Sequence, residues 1–135
     1  MSIYAYSPLA GGFLAKTADE IENGTGRWDK NRVIGQMFHA LYNKPSYITV
    51  LKEWDAIARD AGCSRSALAY RWVRYNSILK PEHGDALIFA ASRVEQLEET
   101  LRDLEDGPLD EKTARRVEEL WEIVKDDAPL DHVHG

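Results

Sequence analysis

The chain opens with a segment whose residue types suit the binding of a phosphate. Ile3 to Tyr6 alternates aliphatic, aromatic and small side chains, which predicts a buried strand. Pro8 ends that strand because proline has no backbone N–H to donate to a sheet. Residues 9–12, Leu-Ala-Gly-Gly, carry little side-chain bulk, so their amides would be open to an anion. An ordinary turn is an equally good interpretation of the two glycines.

A second segment with the same potential begins at Ser92. The spacing of Ser92 and Glu95 predicts a capping box at the start of a helix. The first amides and the dipole of such a helix attract anions, and Arg93 adds a guanidinium that suits phosphate. A capping box with a purely structural role explains the same residues.

Three other groups of reactive residues have simpler explanations. Cys63 is the only cysteine, which excludes an intrachain disulfide, favours a reducing, cytoplasmic setting, and suits a partly buried position between helices. His39 is expected on a helix face. The pair His132 and His134 offers too few ligands for a metal site, because three are usually needed.

Composition limits the class of protein. The 135 residues are 44% hydrophobic and 30% charged, as in one soluble globular domain. Neither a membrane-spanning segment nor a signal peptide is expected from this sequence. Residues 1–94 have a net charge of +3 (12 basic, 9 acidic) and residues 95–135 have −9 (5 basic, 14 acidic). The basic part could hold a phosphorylated cofactor, whereas nucleic acid is not expected because no basic stripe with interleaved aromatics is present.

Hydrophobic periodicity predicts two strands and four or five helices. The predicted strands are 3–6 and 85–91, the second covered on both faces; the predicted helices are 32–42, 46–61, 65–76, one that begins after Ser92, and one from Asp110 to Lys125. A long loop is predicted at 16–31 and a flexible tail at 126–135. The expected core-facing residues of the last two helices are Leu97, Leu101, Leu104, Val117, Leu120, Trp121 and Val124. Strands separated by helices pair in parallel, but two parallel strands are not a stable sheet, so the pattern describes part of an α/β layer.

Four segments of the chain can be compared with known families: Tyr-Ser-Pro-Leu-Ala-Gly-Gly-Phe-Leu at 6–14, Gly-Arg-Trp at 26–28, Ser-Ala-Leu-Ala-Tyr-Arg-Trp at 66–72, and the segment from Ala90 to Thr100. In this order they resemble the C-terminal half of the aldo-keto reductases, most closely their aflatoxin-aldehyde-reductase branch. The resemblance implies that residues 1–125 form the last two strands, with their helices, of a (β/α)8 TIM barrel. Oligomerisation is expected to complete that barrel, because the chain starts at what would be the seventh strand.

The same resemblance implies NADPH as the cofactor, bound at the carboxyl ends of the barrel strands. The implied cofactor-binding residues are Ser7, Leu9, Ala10, Gly12, Arg27, Ser92, Arg93, Gln96 and Thr100. Three positions depart from the family pattern. Ala90 stands where the family usually has Gly, Thr100 where it has Asn, and Ala15-Lys16 replaces Gly-Lys.

The resemblance leaves the catalytic residues unassigned. The family's catalytic Tyr, Lys, Asp and His belong to the first half of the barrel, so no residue here inherits those roles. The chain is therefore expected to be a half-barrel derived from a carbonyl reductase, active on a small-molecule carbonyl only with a complementary N-terminal half.

Two alternatives remain open at this stage. One is a homodimeric half-barrel with non-redox chemistry, such as isomerisation or dehydration, or with small-molecule binding. Its candidate polar groups are Tyr6, Arg27, His39 and Arg93. The other is a regulatory interaction subunit.

Overall fold

The two predicted strands form a parallel pair in the computed structural model, which describes residues 1–128. Strand β1 is Tyr4–Tyr6 and strand β2 is Ala86–Ile88, with Tyr4 opposite Ala86 and Tyr6 opposite Ile88. The predicted parallel pairing is therefore confirmed, although β2 is shorter than the apolar run that predicted it.

The carboxylate of Asp85 accepts two hydrogen bonds at the amino end of the β1–β2 pair. The Ile3 N–H donates to Oδ1 of Asp85 at 2.7 Å, and the Lys80 N–H donates to Oδ2 at 2.8 Å. These two bonds hold the pKa of the Asp85 carboxyl below its usual range. The Ser2 hydroxyl also donates to the carbonyl of His83, at 2.9 Å. One side chain thus links the start of β1 to the turn before β2.

The predicted loop at 16–31 is wrong, because most of it is ordered into short helical turns. Helix α1, Ala18–Asn23, begins with a capping box between Thr17 and Glu20 and ends at Gly24. A 3-10 turn follows at Gly26–Trp28. Periodicity could not predict these turns, because each contributes one core residue, Ile21 or Trp28, and both side chains are fully buried.

Three of the predicted helices are confirmed in the middle of the chain. Helix α2 is Val33–Tyr42, α3 is Pro45–Asp60, and α4 is Arg65–Arg71, which continues as a π-helical turn over Trp72–Asn76. The Ser64 hydroxyl caps α4 by accepting from the N–H of Ala67 at 2.9 Å. Glycine at position 62 separates α3 from α4 with a positive φ of 68°.

Helix α5, Val94–Glu105, is present, but its predicted capping box is not. The N–H and hydroxyl of Ser92 donate to Oε1 of Gln96, at 3.3 and 3.0 Å, so glutamine takes the place expected for Glu95. The expected core-facing stripe is wrong for Leu97 and Leu101, which are 41% and 50% exposed. Within residues 1–128 each of these two side chains is therefore only about half covered.

The predicted last helix is two helices. Helix α6, Glu111–Glu119, is capped by Asp110 as expected, and α7 is Trp121–Val124. Leu120 between them is buried, but Trp121 is 56% exposed and does not pack as predicted.

The start of the predicted flexible tail contacts the body of the protein. The carbonyl of Asp127 accepts from Lys44 Nζ at 2.8 Å, and its carboxylate accepts from the Ser46 hydroxyl. The remaining residues of that predicted tail, 129–135, lie outside the described residues, as do His132 and His134.

Two adjoining hydrophobic clusters form the core. The first lies mainly between α3, α4 and α6 and comprises Val50, Trp54, Ile57, Ala58, Leu68, Ala69, Leu109, Ala114 and Leu120. The second comprises Phe13, Ile21, Trp28, Phe38 and Leu51. Both clusters lie in the helical layers, and none of their residues comes from the strands. Among residues 1–128 no helix is long and apolar enough to cross a membrane.

One face of the strand pair is open, contrary to the prediction that the second strand is covered on both sides. Tyr4, Tyr6 and Ile88 are 62%, 64% and 53% exposed. They share a face because alternate strand residues point the same way and Tyr6 is in register with Ile88. A largely exposed strand face is expected for a partial barrel whose remaining strands are not among residues 1–128.

Candidate functional site

A cavity of 590 Å³ opens where both strands end, at their carboxyl side. Its lining comes from four parts of the chain: the end of β1 with the loop after it, the turns at 15–28, Tyr70 on α4, and the segment from β2 to the start of α5. The lining residues that bear on its chemistry are Ser7, Leu9, Gly12, Lys16, Glu20, Arg27, Tyr70, Phe89, Ser92 and Gln96. The two segments that the sequence singled out for phosphate therefore face one space.

The loop after β1 is a chain of tight turns. The N–H of Ala10 donates to the carbonyl of Ser7 at 2.9 Å, and the N–H of Gly12 donates to that of Leu9 at 3.0 Å. Ser7 and Ala10 adopt positive φ values of 55° and 49°, which non-glycine residues rarely do. Within residues 1–128 no hydrogen bond occupies the N–H of Leu9 or Gly11. The open amides that the sequence predicted across 9–12 are thus reduced to these two.

The two adjacent glycines serve different purposes. A Cβ on Gly11 would lie 2.7 Å from ring atoms of Phe38, so Gly11 is required by the packing of α2. A Cβ on Gly12 would meet nothing within 4 Å. Gly12 is therefore the point in the loop where a ligand could approach the main chain.

Cationic side chains reach the cavity from the turns that the sequence predicted as a loop. The ammonium of Lys16 donates to the Thr25 hydroxyl at 3.1 Å. Glu20 lies in the same wall, and the bond from the Thr17 N–H lowers the pKa of its carboxyl. Two cations and one carboxylate, those of Lys16, Arg27 and Glu20, therefore line the cavity.

The position of Arg27 is fixed by its neighbour Trp28. The indole of Trp28 is fully buried and lies 5.7 Å from the ring of Phe13 and 5.5 Å from that of Phe38, measured between centroids. The carbonyl of Trp28 is 2.9 Å from Nε2 of His39. This anchoring holds the backbone of Arg27 at the rim of the cavity while its side chain stays exposed.

The structure brings six of the nine predicted cofactor-binding residues to the cavity: Ser7, Leu9, Gly12, Arg27, Ser92 and Gln96. Ala10, Arg93 and Thr100 are not in its lining. Ala10 forms the turn beneath it, and Arg93 is exposed immediately beside Ser92. Thr100 is 7% exposed and its hydroxyl donates to the Gln96 carbonyl at 2.9 Å, one helical turn away from the cavity.

Sequence reasoning missed the contribution of Lys16, Glu20, Tyr70 and Phe89 to the lining. Tyr70 comes from α4 and its ring lies 5.3 Å from that of Phe89, between centroids. Burial raises the pKa of the Tyr70 phenol, and a hydrogen bond with Thr100 partly offsets that rise. The local sequence did not indicate Tyr70 as a lining residue, because it reaches the cavity through the packing of α4 against α5 and of its ring beside Phe89.

The surroundings of Cys63 and His39 indicate structural roles for these two residues. Burial raises the pKa of the half-buried Cys63 thiol, which disfavours the nucleophilic thiolate. Nδ1 of His39 is 3.1 Å from Nδ2 of Asn43, so both ring nitrogens of this helix-face histidine have neighbours. Among residues 1–128, no three His, Cys, Asp or Glu side chains are grouped as a metal ion would need.

Comparison with known proteins identifies the family. Residues 1–122 match the model of the Aldo/keto reductase family. The chain belongs to this family. Members have a (β/α)8 fold and generally use NAD(P)H. The parallel strands and the cavity at their carboxyl ends agree with a part of that fold.

Named relatives within the aldo/keto reductases are much longer than this chain. It is 44% identical over 126 residues to Oxidoreductase sirO of Leptosphaeria maculans, covering 93% of this chain and 38% of the relative. It is 32% identical to Aldo-keto reductase pigE of Monascus ruber, with 93% and 38% covered. It is 30% identical to human Aflatoxin B1 aldehyde reductase member 2, with 96% and 38% covered. The chain thus spans about two fifths of these relatives, matching their C-terminal part.

Proposed function

We propose that this chain supplies the phosphate-binding half of an NADPH site, together with the last two strand–helix units of a carbonyl-reducing (β/α)8 barrel. The observation that carries the proposal is the shared cavity, where the loop after β1 faces the start of α5. Ligand sites of (β/α)8 proteins lie at this end of the strands.

The residues present fit a phosphorylated dinucleotide. The N–H groups of Leu9 and Gly11 are left to bind a pyrophosphate, and Gly12 allows it to approach the main chain. Lys16 and Arg27 provide positive charge at the same place. Two or more charge-assisted hydrogen bonds of this kind are the usual means of holding phosphate groups.

The cavity wall formed by the start of α5 suits the phosphate at the adenine end of the cofactor. The Ser92 hydroxyl and the Gln96 amide already bond to each other at 3.0 Å at the cavity wall. Arg93 is exposed next to Ser92, and no ion pair among residues 1–128 would have to break for it to take a 2′-phosphate. We assign Thr100 a supporting role, because it is buried against Gln96 and Tyr70.

NADPH supplies a hydride when bound, and we propose that a complementary polypeptide supplies the proton-transfer residues. No residue of this chain is assigned to the chemical step. About three fifths of the length of these relatives lies outside the match to this chain. Among residues 1–128, β1 and β2 pair only with each other, which leaves strand edges where further strands could join. We therefore propose an N-terminal half-barrel as the partner and a small-molecule aldehyde or ketone as the substrate.

The proposal is tested by titrating the chain with NADPH and following energy transfer from tryptophan, since Trp28 lines the cavity. We expect weak, saturable binding that Arg27→Ala weakens about tenfold, the loss typical of one charge-assisted bond. Arg59→Ala is the matched control, because Arg59 is exposed and pairs with Asp55 outside the cavity.

Light scattering on the same samples separates the alternatives. A stable dimer of twice 15.3 kDa that does not respond to NADPH would overturn the cofactor proposal and favour a repurposed homodimer. Carbonyl reduction by the chain alone would overturn the proposal that the catalytic residues come from a partner.

A further inference from the structure

Tyr70 is a nearly buried phenol in the wall of the cavity, and it is not among the proposed phosphate-binding residues. It is 6% exposed, and it lines the cavity together with Phe89. The two rings lie 5.3 Å apart between centroids and are inclined by 60°. This edge-to-face pair forms an aromatic corner beside the segment that leads from β2 into α5. An aromatic corner suits a planar ring better than a sugar or a phosphate.

The hydrogen bonds around Tyr70 determine what its oxygen can offer a ligand. The phenol forms a hydrogen bond with Thr100. The one proton of the Thr100 hydroxyl is donated to the Gln96 carbonyl at 2.9 Å. Burial raises the pKa of the Tyr70 phenol, so this group keeps its proton at neutral pH and donates it to the oxygen of Thr100. The oxygen of Tyr70 is thus left with lone pairs that can accept a hydrogen bond.

Charge near the phenol favours the same role. The Asp103 carboxylate acts electrostatically on Tyr70 and lies on α5, three residues after Thr100. A negative charge near an acceptor oxygen attracts N–H groups and repels carbonyl oxygens. Tyr70 is therefore suited to an amino group carried by a planar ring.

We propose that Tyr70 determines the base specificity of this site by accepting a hydrogen bond from the amino group of adenine. This inference rests on the proposed function, which places the adenine end of NADPH at the start of α5. Ser92 and Gln96 line the cavity there, and Thr100 connects Gln96 to Tyr70. Thr100 itself is 7% exposed and is not in the cavity lining, so the phenol rather than the threonine can reach a base.

The test compares NADPH with its reduced hypoxanthine analogue, in which a carbonyl replaces the amino group of adenine. Both carry the same reduced nicotinamide, so energy transfer from tryptophan measures the binding of either one to the full chain. We expect the analogue to bind the native chain about tenfold more weakly, because its carbonyl would face the Tyr70 oxygen. Equal dissociation constants would overturn this inference and leave the proposed function standing. Binding of neither dinucleotide would overturn both.

Two variants separate base recognition from a structural role of the phenol. Tyr70→Phe should weaken NADPH binding about tenfold and leave the analogue unchanged, so that the ratio of the two dissociation constants falls to about one. Thr100→Val removes the oxygen that orients the phenol, which can then donate to a carbonyl. We expect this variant to bind the analogue about threefold more tightly, with little change for NADPH.

Tyr4→Phe is the matched control, since Tyr4 is 62% exposed and is not in the cavity lining. Its ratio of dissociation constants should equal that of the native chain. Circular dichroism melts of each variant check that the fold is retained. Equal weakening of both dinucleotides by Tyr70→Phe would overturn the inference, because it would show that the phenol only supports the packing of α4 against α5. An unchanged ratio in Thr100→Val would likewise contradict the assigned direction of the Tyr70–Thr100 hydrogen bond and, with it, the acceptor role of Tyr70.

Discussion

Gly11 and Phe38 are in direct contact, so that a Cβ on the glycine would sit 2.7 Å from two atoms of the aromatic ring. This contact joins the loop after β1 to the buried side of α2. The loop that lines the cavity is thus shaped by packing in the second hydrophobic cluster. Its neighbour Gly12 has open space and is free of that constraint.

We expect Gly11→Ala to cost about 2–4 kcal/mol of unfolding free energy, from an overpacked ring contact and a left-handed backbone that alanine disfavours. Gly12→Ala should cost only the backbone part, about 1–2 kcal/mol. Urea unfolding of both variants provides the comparison. Equal losses would show that Phe38 does not constrain the loop.

At Ala10, by contrast, replacement by glycine should cost little stability, because this residue has a left-handed conformation. Its φ of 49° is unfavourable for alanine but not for glycine. Ala10→Gly should therefore change the unfolding free energy by less than about 0.5 kcal/mol, because relief of strain offsets the greater freedom of the unfolded chain. The matched control is Ala56→Gly within α3, which should lose about 1 kcal/mol. A comparable loss at both positions would contradict the strained turn.

Cys63 should react slowly with thiol reagents. Burial raises the pKa of its thiol, so the thiolate fraction at pH 7.5 is lower than that of a free cysteine. We expect alkylation by iodoacetamide to be slower than that of glutathione at this pH and to accelerate in more alkaline buffer. Faster alkylation than glutathione at pH 7.5 would instead indicate an activated thiol.

Helices could be predicted from the sequence where a capping residue and a periodic set of apolar residues lie in the same segment. Ser64 with its helix, and Asp110 with its helix, were predicted because cap and periodic apolar residues are neighbours in the chain. The turns around Ile21 and Trp28 were missed, because a single buried residue per turn leaves no period to detect.

The candidate site was also predictable only where a segment contains its own signal. The residue types of the two predicted phosphate-binding segments were enough to propose them, and most of the residues in those segments line the cavity. Tyr70 could not be proposed in this way, because its place depends on how α4 packs against α5. Leu101 was misassigned for a related reason, since an apolar stripe indicates that a helix face will be buried without showing whether this chain buries it.

The two hydrogen bonds that the Asp85 carboxylate accepts, from the N–H groups of Ile3 and Lys80, should make the stability of the chain depend on pH. Two backbone N–H bonds lower the pKa of this carboxyl in the folded protein, so the unfolded state binds its proton more tightly. The stabilisation is complete above the unfolded pKa of about 3.9 and disappears as pH falls through the lower folded value.

Asp85→Asn removes that contribution and, with it, part of the acid sensitivity. We expect the variant to have a lower Tm than the native chain at pH 7, and the difference between them to shrink as the pH falls below about 4. Circular dichroism melts between pH 7 and pH 3 measure both curves. Glu20, Asp55 and Asp110 also have lowered pKa values, so the difference between the two curves isolates Asp85. Glu53→Gln, at an exposed position on α3, is the control and should run parallel to the native chain. A difference that stays constant down to pH 3 would mean that the loss comes from altered hydrogen-bond geometry at the asparagine and that the charge of Asp85 contributes nothing.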